Sequence, residues 1–278
     1  MNESHDALDL AAYCARIGHA EALSPTLDAL RRLQALHMSA IPFENLDILL
    51  GRGIDISPHA VDAKLIVARR GGYCFEQNAL FKRVLEVIGF EVEGLLARVV
   101  WMAPGDAPPR PRTHMALRIV IEGRPWLVDV DFGGNTPMAP LAMDIQEPQP
   151  TRHETYRIMP SEEGQVLQAF IREQWSPLYD LSLQPQLPVD YEQPNWYTAT
   201  HPSSHFRHQL SVACTTNEAR YALRNSRLTV RPAVGEPTQH ELDVEALATV
   251  LHDTFGLPVE ESWRPMLERA VAAEREPA

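Results

Sequence analysis

Cys74 stands in the middle of the run Arg70-Gly71-Gly72-Tyr73-Cys74-Phe75-Glu76-Gln77-Asn78. The two glycines let the backbone turn tightly ahead of it. Residues 75–88 then carry Ala79, Leu80, Phe81, Val84, Leu85 and Ile88 at helical spacing, and Gly89 stops the pattern. Cys74 is therefore expected at a helix N-terminus, where the macrodipole favours an anion. Such a setting lowers a thiol pKa and exposes the thiolate, the nucleophilic form. A lone cysteine is more often a small buried hydrophobe. Glycines in front and a helix behind point instead to a nucleophile.

A cysteine nucleophile needs a base, and the base needs a third group to orient it. His114 opens a predicted strand directly after a proline-rich loop at residues 102–113. Glu122-Gly123-Arg124-Pro125 reads as a hairpin turn, and residues 126–132 return as the partner strand. Antiparallel pairing then brings the His114 end near Asp129 and Asp131. An acidic residue inside an apolar strand is costly unless paired, and a histidine partner supplies the reason. The two aspartates are two apart and share a face of that strand, so either one fits. Cysteine, histidine and aspartate in this order, on a helix tip and paired strands, resemble the papain-type arrangement.

The elements that must hold these groups change character along the chain. Residues 8–17 read as a short amphipathic helix ended by Gly18. Ser24-Pro25 reads as an N-cap with proline at the first helical position, followed by a face of Leu27, Leu30, Leu33 and Leu36. Residues 62–70 resume a helix leading into the cysteine loop. From Glu91 the pattern becomes strand-like: 92–101, 115–121, 126–132, 155–159, 166–171 and 178–183. Residues 195–202 read as a polar-aromatic loop, followed by short strands at 209–214, 221–223 and 227–230. Helices at 244–255, stopped by Gly256, and at 263–273 end the chain. Helices first, strands next and a mixed tail suggest an α+β protein of two or three parts.

Composition narrows the function classes. A chain of 278 residues, 45% hydrophobic, can bury a sizeable core. A net charge of -12 argues against nucleic acid as a partner. No apolar run reaches membrane-spanning length, and the start reads as no signal peptide. Three scattered cysteines suit a reducing cytoplasm rather than a disulfide framework, and no CxxC pair suggests zinc. His201, His205 and His208 lack a carboxylate or cysteine to complete a metal set and read as solvated.

Arg70-Gly71-Gly72-Tyr73-Cys74-Phe75-Glu76, Pro42-Phe43-Glu44-Asn45-Leu46, Thr113-His114, Asp129-Val130-Asp131-Phe132-Gly133 and the stretch 195–206 together resemble the arylamine N-acetyltransferases. The resemblance runs from about residue 8 to 255. It implies a Cys74, His114 and Asp129 triad. Members usually carry glycine where this chain has Asp131, so a second carboxylate stands near the site. The implied fold is α+β: an N-terminal helical bundle (1–90), a central antiparallel β-barrel (91–195) and a C-terminal α/β lid (196–278) around a papain-like core.

The implied reaction is ping-pong transfer of an acetyl group from acetyl-CoA, a co-substrate, to arylamines, arylhydrazines or N-hydroxyarylamines, a chemistry of xenobiotic metabolism, with no metal. Arylamines suit the second half-reaction because they are neutral nucleophiles at pH 7. The Cys74 N–H at the helix tip is a candidate oxyanion donor. CoA is a polyanion, so Arg110 and Arg112, the amides of Gly133 and Gly134, and by resemblance Thr113 and Thr215 are candidate contacts. Phe43 and Phe132 are candidate walls for a flat acceptor. A monomer or homodimer both fit. Rival readings are a cysteine amidohydrolase, an amide synthase of a biosynthetic pathway, and a non-catalytic relative, the last disfavoured by the intact triad.

Overall fold

The computed structural model describes residues 8–104 and 108–275. In chain order it comprises α1 (Leu10–Ile17), α2 (Leu27–Ala40), β1 (Phe43–Glu44), α3 (Leu46–Leu49), α4 (Pro58–Asp62) and α5 (Cys74–Ile88). Next come β2 (Glu91–Val99), β3 (Arg112–Ile121), β4 (Arg124–Val128), β5 (Leu141–Ala142), β6 (Gln149–Pro150), β7 (Thr155–Pro160), β8 (Gly164–Ile171) and β9 (Gln174–Ser182). The chain closes with α6 (Glu192–Thr200), β10 (Ser211–Thr215), β11 (Ala219–Arg224), β12 (Arg227–Pro232), β13 (Thr238–Glu241), α7 (Val244–Asp253) and α8 (Arg264–Arg275). This is the expected α+β succession. Residues 105–107 of the proline-rich loop lie outside the described residues.

Strands β2 to β9 form one antiparallel eight-stranded sheet in the order β5-β4-β3-β2-β9-β8-β7-β6. The sheet curls until its two edges meet, and a side chain makes the join. The Gln149 amide accepts from the Ala142 N–H at 2.8 Å and donates to the Ala142 carbonyl at 2.9 Å, imitating the backbone rung that would close a barrel. Inside lie Leu95, Ala97, Ala116, Leu127, Tyr156, Leu167 and Leu178. A second sheet, β1-β10-β11-β12-β13, takes its first strand from the N-terminal third. It packs on α7 and α8 through Leu223, Leu247, Leu251 and Leu267. The third core joins α1, α2 and α5 to the outer side of β3 through Leu30, Leu33, Phe81, Val84, Leu117 and Ile119. Each such buried side chain contributes roughly 1.5–3 kcal/mol.

Several elements differ from the sequence reading, each for a local reason. The N-cap of α2 is Thr26, whose hydroxyl accepts from the Ala29 N–H at 3.3 Å, and Ser24 lies outside the helix. The helix expected over 62–70 starts earlier, with Pro58 at its first position, and widens into a π turn at Ala63–Val67. Buried Arg16 bonds the carbonyls of Leu65, Arg69 and Arg70 there, and Arg69 turns left-handed, which ends the segment. Residues 195–202 are largely helical in α6, where Pro194 is tolerated in the first turn. Its polar and aromatic residues show no apolar stripe, so no period announced it.

Candidate active site

The cysteine loop is held from both sides by backbone. Gly72 pairs in parallel with Phe43, the Glu44 N–H donates to the Gly72 carbonyl at 2.9 Å, and the Gly72 N–H donates to the Pro42 carbonyl at 3.2 Å. Neither Gly71 nor Gly72 has a positive φ, so the expectation of a tight glycine turn is corrected. The glycines supply room: a β-carbon on Gly71 would overlap the Pro42 carbonyl oxygen, and one on Gly72 would lie 2.8 Å from Glu76 Oε2. That carboxylate caps the helix by accepting from the Tyr73 N–H at 3.0 Å.

Two buried networks fix the same loop. Gln77 donates through Nε2 to the carbonyls of Pro42 (3.1 Å) and Gly72 (3.0 Å). Its Oε1 is therefore an acceptor, which makes His37 Nε2 the donor at 3.0 Å and His37 Nδ1 the acceptor of the Tyr13 hydroxyl at 2.9 Å. Burial lowers the His37 pKa to about 3, so this relay is neutral. In the second network Lys64 meets Glu76 at 2.7 Å and Asp47 at 2.8 Å, while Arg70 meets Glu44 at 2.7 Å and Asp47 at 3.2 Å. Burial works against the Lys64 cation, but Glu44, Glu76 and Asp47 outweigh it and hold the ammonium charged.

Cys74 occupies the first position of α5, as the spacing predicted. Its Sγ lies 3.8 Å from the Thr113 carbonyl and within reach of the Met115 N–H, against the backbone on both sides of His114. His114 Nε2 is 2.7 Å from Asp129 Oδ2, both residues buried. That leaves Nδ1 as the ring nitrogen not bound to the carboxylate. The rings of Phe132 (5.0 Å) and Tyr179 (4.8 Å) pack against the imidazole. Asp129 Oδ1 accepts from Asn78 Nδ2 at 3.1 Å and from the Asp131 N–H at 2.9 Å. Burial raises the Asp129 carboxyl, but His114 and these donors outweigh it and hold the group below its ordinary range.

The geometry separates the two aspartates that the sequence left equivalent. The strand expected over 126–132 stops at Val128, because Asn78 Oδ1 takes the Val130 N–H at 3.2 Å and Asp129 takes that of Asp131. The two do not share a strand face. Asp131 is buried, its Oδ2 has no hydrogen-bond partner among the described residues, and burial followed by Asp129, Glu76 and Glu44 pushes its carboxyl well up. The thiol also departs from expectation. Burial and then Asp131 raise Cys74 well above its ordinary value, against opposing backbone donors at Met115 and Phe75. The helix terminus alone does not lower this thiol.

A model of the N-acetyltransferase family matches residues 26–264. An arylamine N-acetyltransferase of Mycobacterium bovis is 43% identical over 256 residues, covering 91% of this chain and 90% of the relative. The chain belongs to the arylamine N-acetyltransferase family. A Salmonella typhimurium relative, an arylamine N-acetyltransferase / N-hydroxyarylamine O-acetyltransferase, is 40% identical over 95% of this chain and 94% of its own. The solved arylamine N-acetyltransferase of Mycobacterium tuberculosis superposes with a TM-score of 0.90 at 40% identity, over 95% of this chain and 100% of that one. The Mycobacterium marinum enzyme, solved in complex with CoA, gives 0.89 at 41% identity over 95% and 98%. The resemblance in the motifs is thus a family membership.

Against this arylamine N-acetyltransferase frame, the remaining candidate residues fall into two groups. Thr113, Phe132, Gly133 and Gly134 adjoin the Cys74 and His114 region in sequence and fold. Phe43 is held beside Gly72 and packs on Phe206 at 5.7 Å. By contrast, Arg112 is paired with Glu163 at 2.8 Å, and the Thr215 hydroxyl is buried and accepts from Arg220 Nη1 at 3.1 Å. The Gly134 carbonyl accepts from Arg231. Sequence reasoning gave no role to Asn78, Tyr179 or Phe206. Asn78 carried a signal, since it is a polar residue four positions from Cys74 on the same helix face. Among the described residues no group of three or more His, Cys, Asp or Glu is arranged to hold a metal, and no helix is long and apolar enough to cross a membrane.

Proposed function

We propose that this chain catalyses ping-pong acetyl transfer from acetyl-CoA, through a Cys74 thioester, to the nitrogen of arylamines and arylhydrazines or the oxygen of N-hydroxyarylamines. The observation that carries this reading is the buried 2.7 Å contact between His114 and Asp129, beside a helix-tip cysteine, in a member of this family. Asp129 fixes the His114 tautomer with the hydrogen on Nε2, which leaves Nδ1 to take the Cys74 proton. The S–H bond breaks, the sulfur attacks the thioester carbon, the bond from that carbon to the CoA sulfur breaks, and CoA leaves as the thiol with the proton His114 returns. The Cys74 N–H, at the first position of α5, precedes the first intrahelical bonds, which Glu76 and Gln77 make to the Tyr73 carbonyl, and it suits the developing oxyanion. An arylamine then attacks the acetyl-cysteine, His114 takes a proton from its nitrogen, and the amide departs as the thiol reforms.

In this reading the divisions at 90/91 and 195/196 separate the nucleophile, the base with its orienting acid, and a lid. Phe43 and Phe132 wall the acceptor. Thr113, Gly133 and Gly134 are the preferred CoA contacts. Arg112 serves the CoA phosphates by exchanging Glu163 for them, and Thr215 acts through its backbone since its hydroxyl is engaged. Three free thiols agree with a cytoplasmic setting.

The test is intact-protein mass spectrometry after incubation with acetyl-CoA alone, beside Cys74→Ala. One acetyl group on the wild type, absent from the variant and discharged by an added arylamine, is the expected result. An unmodified wild type with no CoA released overturns the acetyl-CoA reading and turns attention to amide substrates.

A further inference from the structure

The loop over residues 129–137 carries two side chains that meet His114. Asp129 does so through Oδ2 at 2.7 Å, and Phe132 does so ring against ring, with centroids 5.0 Å apart. No strand pairing shapes this loop, because β4 ends at Val128 and β5 begins only at Leu141. Its form rests on side chains. The Thr136 hydroxyl accepts from the Phe132 N–H at 2.6 Å and donates to the Gly133 carbonyl at 2.9 Å, and Arg220 donates to the Thr136 carbonyl at 2.9 Å. The neck is closed by Gln34 from α2. Its Nε2 donates to the Asp129 carbonyl at 3.1 Å and to the Pro137 carbonyl at 2.8 Å, so one nitrogen ties the two ends of the loop together.

The placing of Gln34 is costly. The residue is 0% exposed, and its Oε1 has no hydrogen-bond partner among the described residues. Both of its hydrogen bonds there go to this one loop. One helical turn further along α2 stands His37, whose Nε2 donates to Gln77 Oε1 at 3.0 Å, and Gln77 in turn holds the Pro42 and Gly72 carbonyls beside the cysteine. One helix therefore registers both the loop that presents Cys74 and the loop that presents Asp129.

We propose that Gln34 is a positioning residue for this active site: by closing the neck of the 129–137 loop it holds the Asp129 backbone where the carboxylate meets His114. It makes no hydrogen bond to Cys74 or to the imidazole, and it takes no proton. Asn78 steers the Asp129 carboxylate from α5, and Gln34 steers the main chain beneath it from α2. Displacement of an orienting group by about 1 Å is enough to cost up to a hundredfold in rate.

This inference rests on Cys74, His114 and Asp129 acting together, but its main test uses no acetyl-CoA and so stands apart from the acyl-transfer reading. The rate of Cys74 alkylation by iodoacetamide at pH 7, followed by mass spectrometry at that residue, is compared in wild type, Gln34→Met, Asp129→Asn and the double variant. Gln34→Met keeps the length of the side chain, removes both donations and is expected to slow alkylation about tenfold. On the Asp129→Asn background the same substitution should cost less than about threefold, because the group it serves is already impaired. A residue that merely supports the fold would show its full loss on both backgrounds. In acetyl transfer, Gln34→Met should lower kcat and leave KM for an arylamine within about threefold of wild type. Thermal melts establish that each variant is folded, and Gln34→Leu, which also lacks both donors, replaces Gln34→Met if the latter is not. A Gln34 variant that alkylates as fast as wild type overturns the proposal, as does a loss repeated in full on the Asp129→Asn background. An Asp129→Asn protein that alkylates like wild type overturns the triad itself and the proposal with it.

Discussion

The backbone N–H of Asp131 donates to Oδ1 of Asp129 at 2.9 Å, and this bond joins two carboxyl groups with opposite proton affinities. Asp129 gains His114, Asn78 and that N–H, and is held below the ordinary carboxylate range despite burial. Asp131 Oδ2 finds no partner among the described residues, and burial and acidic neighbours push this carboxyl well above that range. The bond that completes one carboxylate brings the second into its field.

The stability of the protein should record this in its pH dependence. A carboxyl whose folded-state pKa is raised contributes stability that is fully present below its unfolded value, near 3.9, and is lost as pH rises through the folded value. Asp131→Asn removes that loss. The variant is expected to be more stable than wild type at pH 8, because its amide cannot ionise. The advantage should shrink toward pH 4. Urea unfolding at the two pH values measures both.

Asp129 runs the other way. Its lowered folded-state pKa contributes stability above the unfolded value and loses it as pH falls through the folded one. Asp129→Asn should leave the fold intact at pH 7 but present His114 with an amide that favours the wrong tautomer. Acetyl transfer is expected to drop by about four orders of magnitude, the scale of the equivalent change in a Ser-His-Asp triad. Steady-state kinetics with an arylamine would show this as a fall in kcat, and a loss below tenfold would contradict the assigned role.

Gly71→Ala should be far more damaging than its size suggests. The β-carbon would strike the Pro42 carbonyl, which accepts from both Gly72 and Gln77. A cost of about 2–4 kcal/mol is expected. Gly53→Ala is the useful contrast, because that glycine sits at φ 70° with nothing within 4 Å, so backbone strain alone costs about 1–2 kcal/mol. Comparing the two melts separates lack of space from lack of conformational freedom.

His37 should remain neutral well below the pH at which a free imidazole titrates. Its folded-state pKa of about 3 lies under the unfolded value near 6.5, so its contribution is present above 6.5 and is lost as pH falls toward 3. The full loss is on the order of 4–5 kcal/mol. Imidazole NMR shifts should show no protonation of His37 at pH 5; a midpoint near 6.5 would contradict the buried relay through Tyr13 and Gln77.

Much of the site was legible in the chain because its parts are local. The helix behind Cys74 and the hairpin linking His114 to Asp129 each follow from spacing, a stop signal and a turn within a few residues. The choice between Asp129 and Asp131 was not legible in the spacing, and only the family resemblance favoured Asp129. It depends on Asn78, from another element, capturing the Val130 N–H and ending the strand. For the same reason α6 read as a loop: its buried Asn195 is held by Tyr73 and the Ile54 carbonyl, partners more than 120 residues away, rather than by an apolar stripe. The role of Gly71 and Gly72 was half legible. Their identity was visible, but the neighbours that exclude a β-carbon, the Pro42 carbonyl at Gly71 and the Glu76 carboxylate at Gly72, were not.

The seam between β5 and β6 has a consequence for how the molecule can deform. Every other junction in the eight-stranded sheet is a ladder of backbone pairs, while this one is a single glutamine side chain held by two hydrogen bonds. A change in circumference is therefore accommodated at Gln149, like a buckle on a belt, before any ladder slips. Strands β3 and β4, which carry His114 and lead to Asp129, are stitched together by five paired positions and ride as one rigid panel. The protein can loosen at its back without disturbing the spacing of the acid and base at its front.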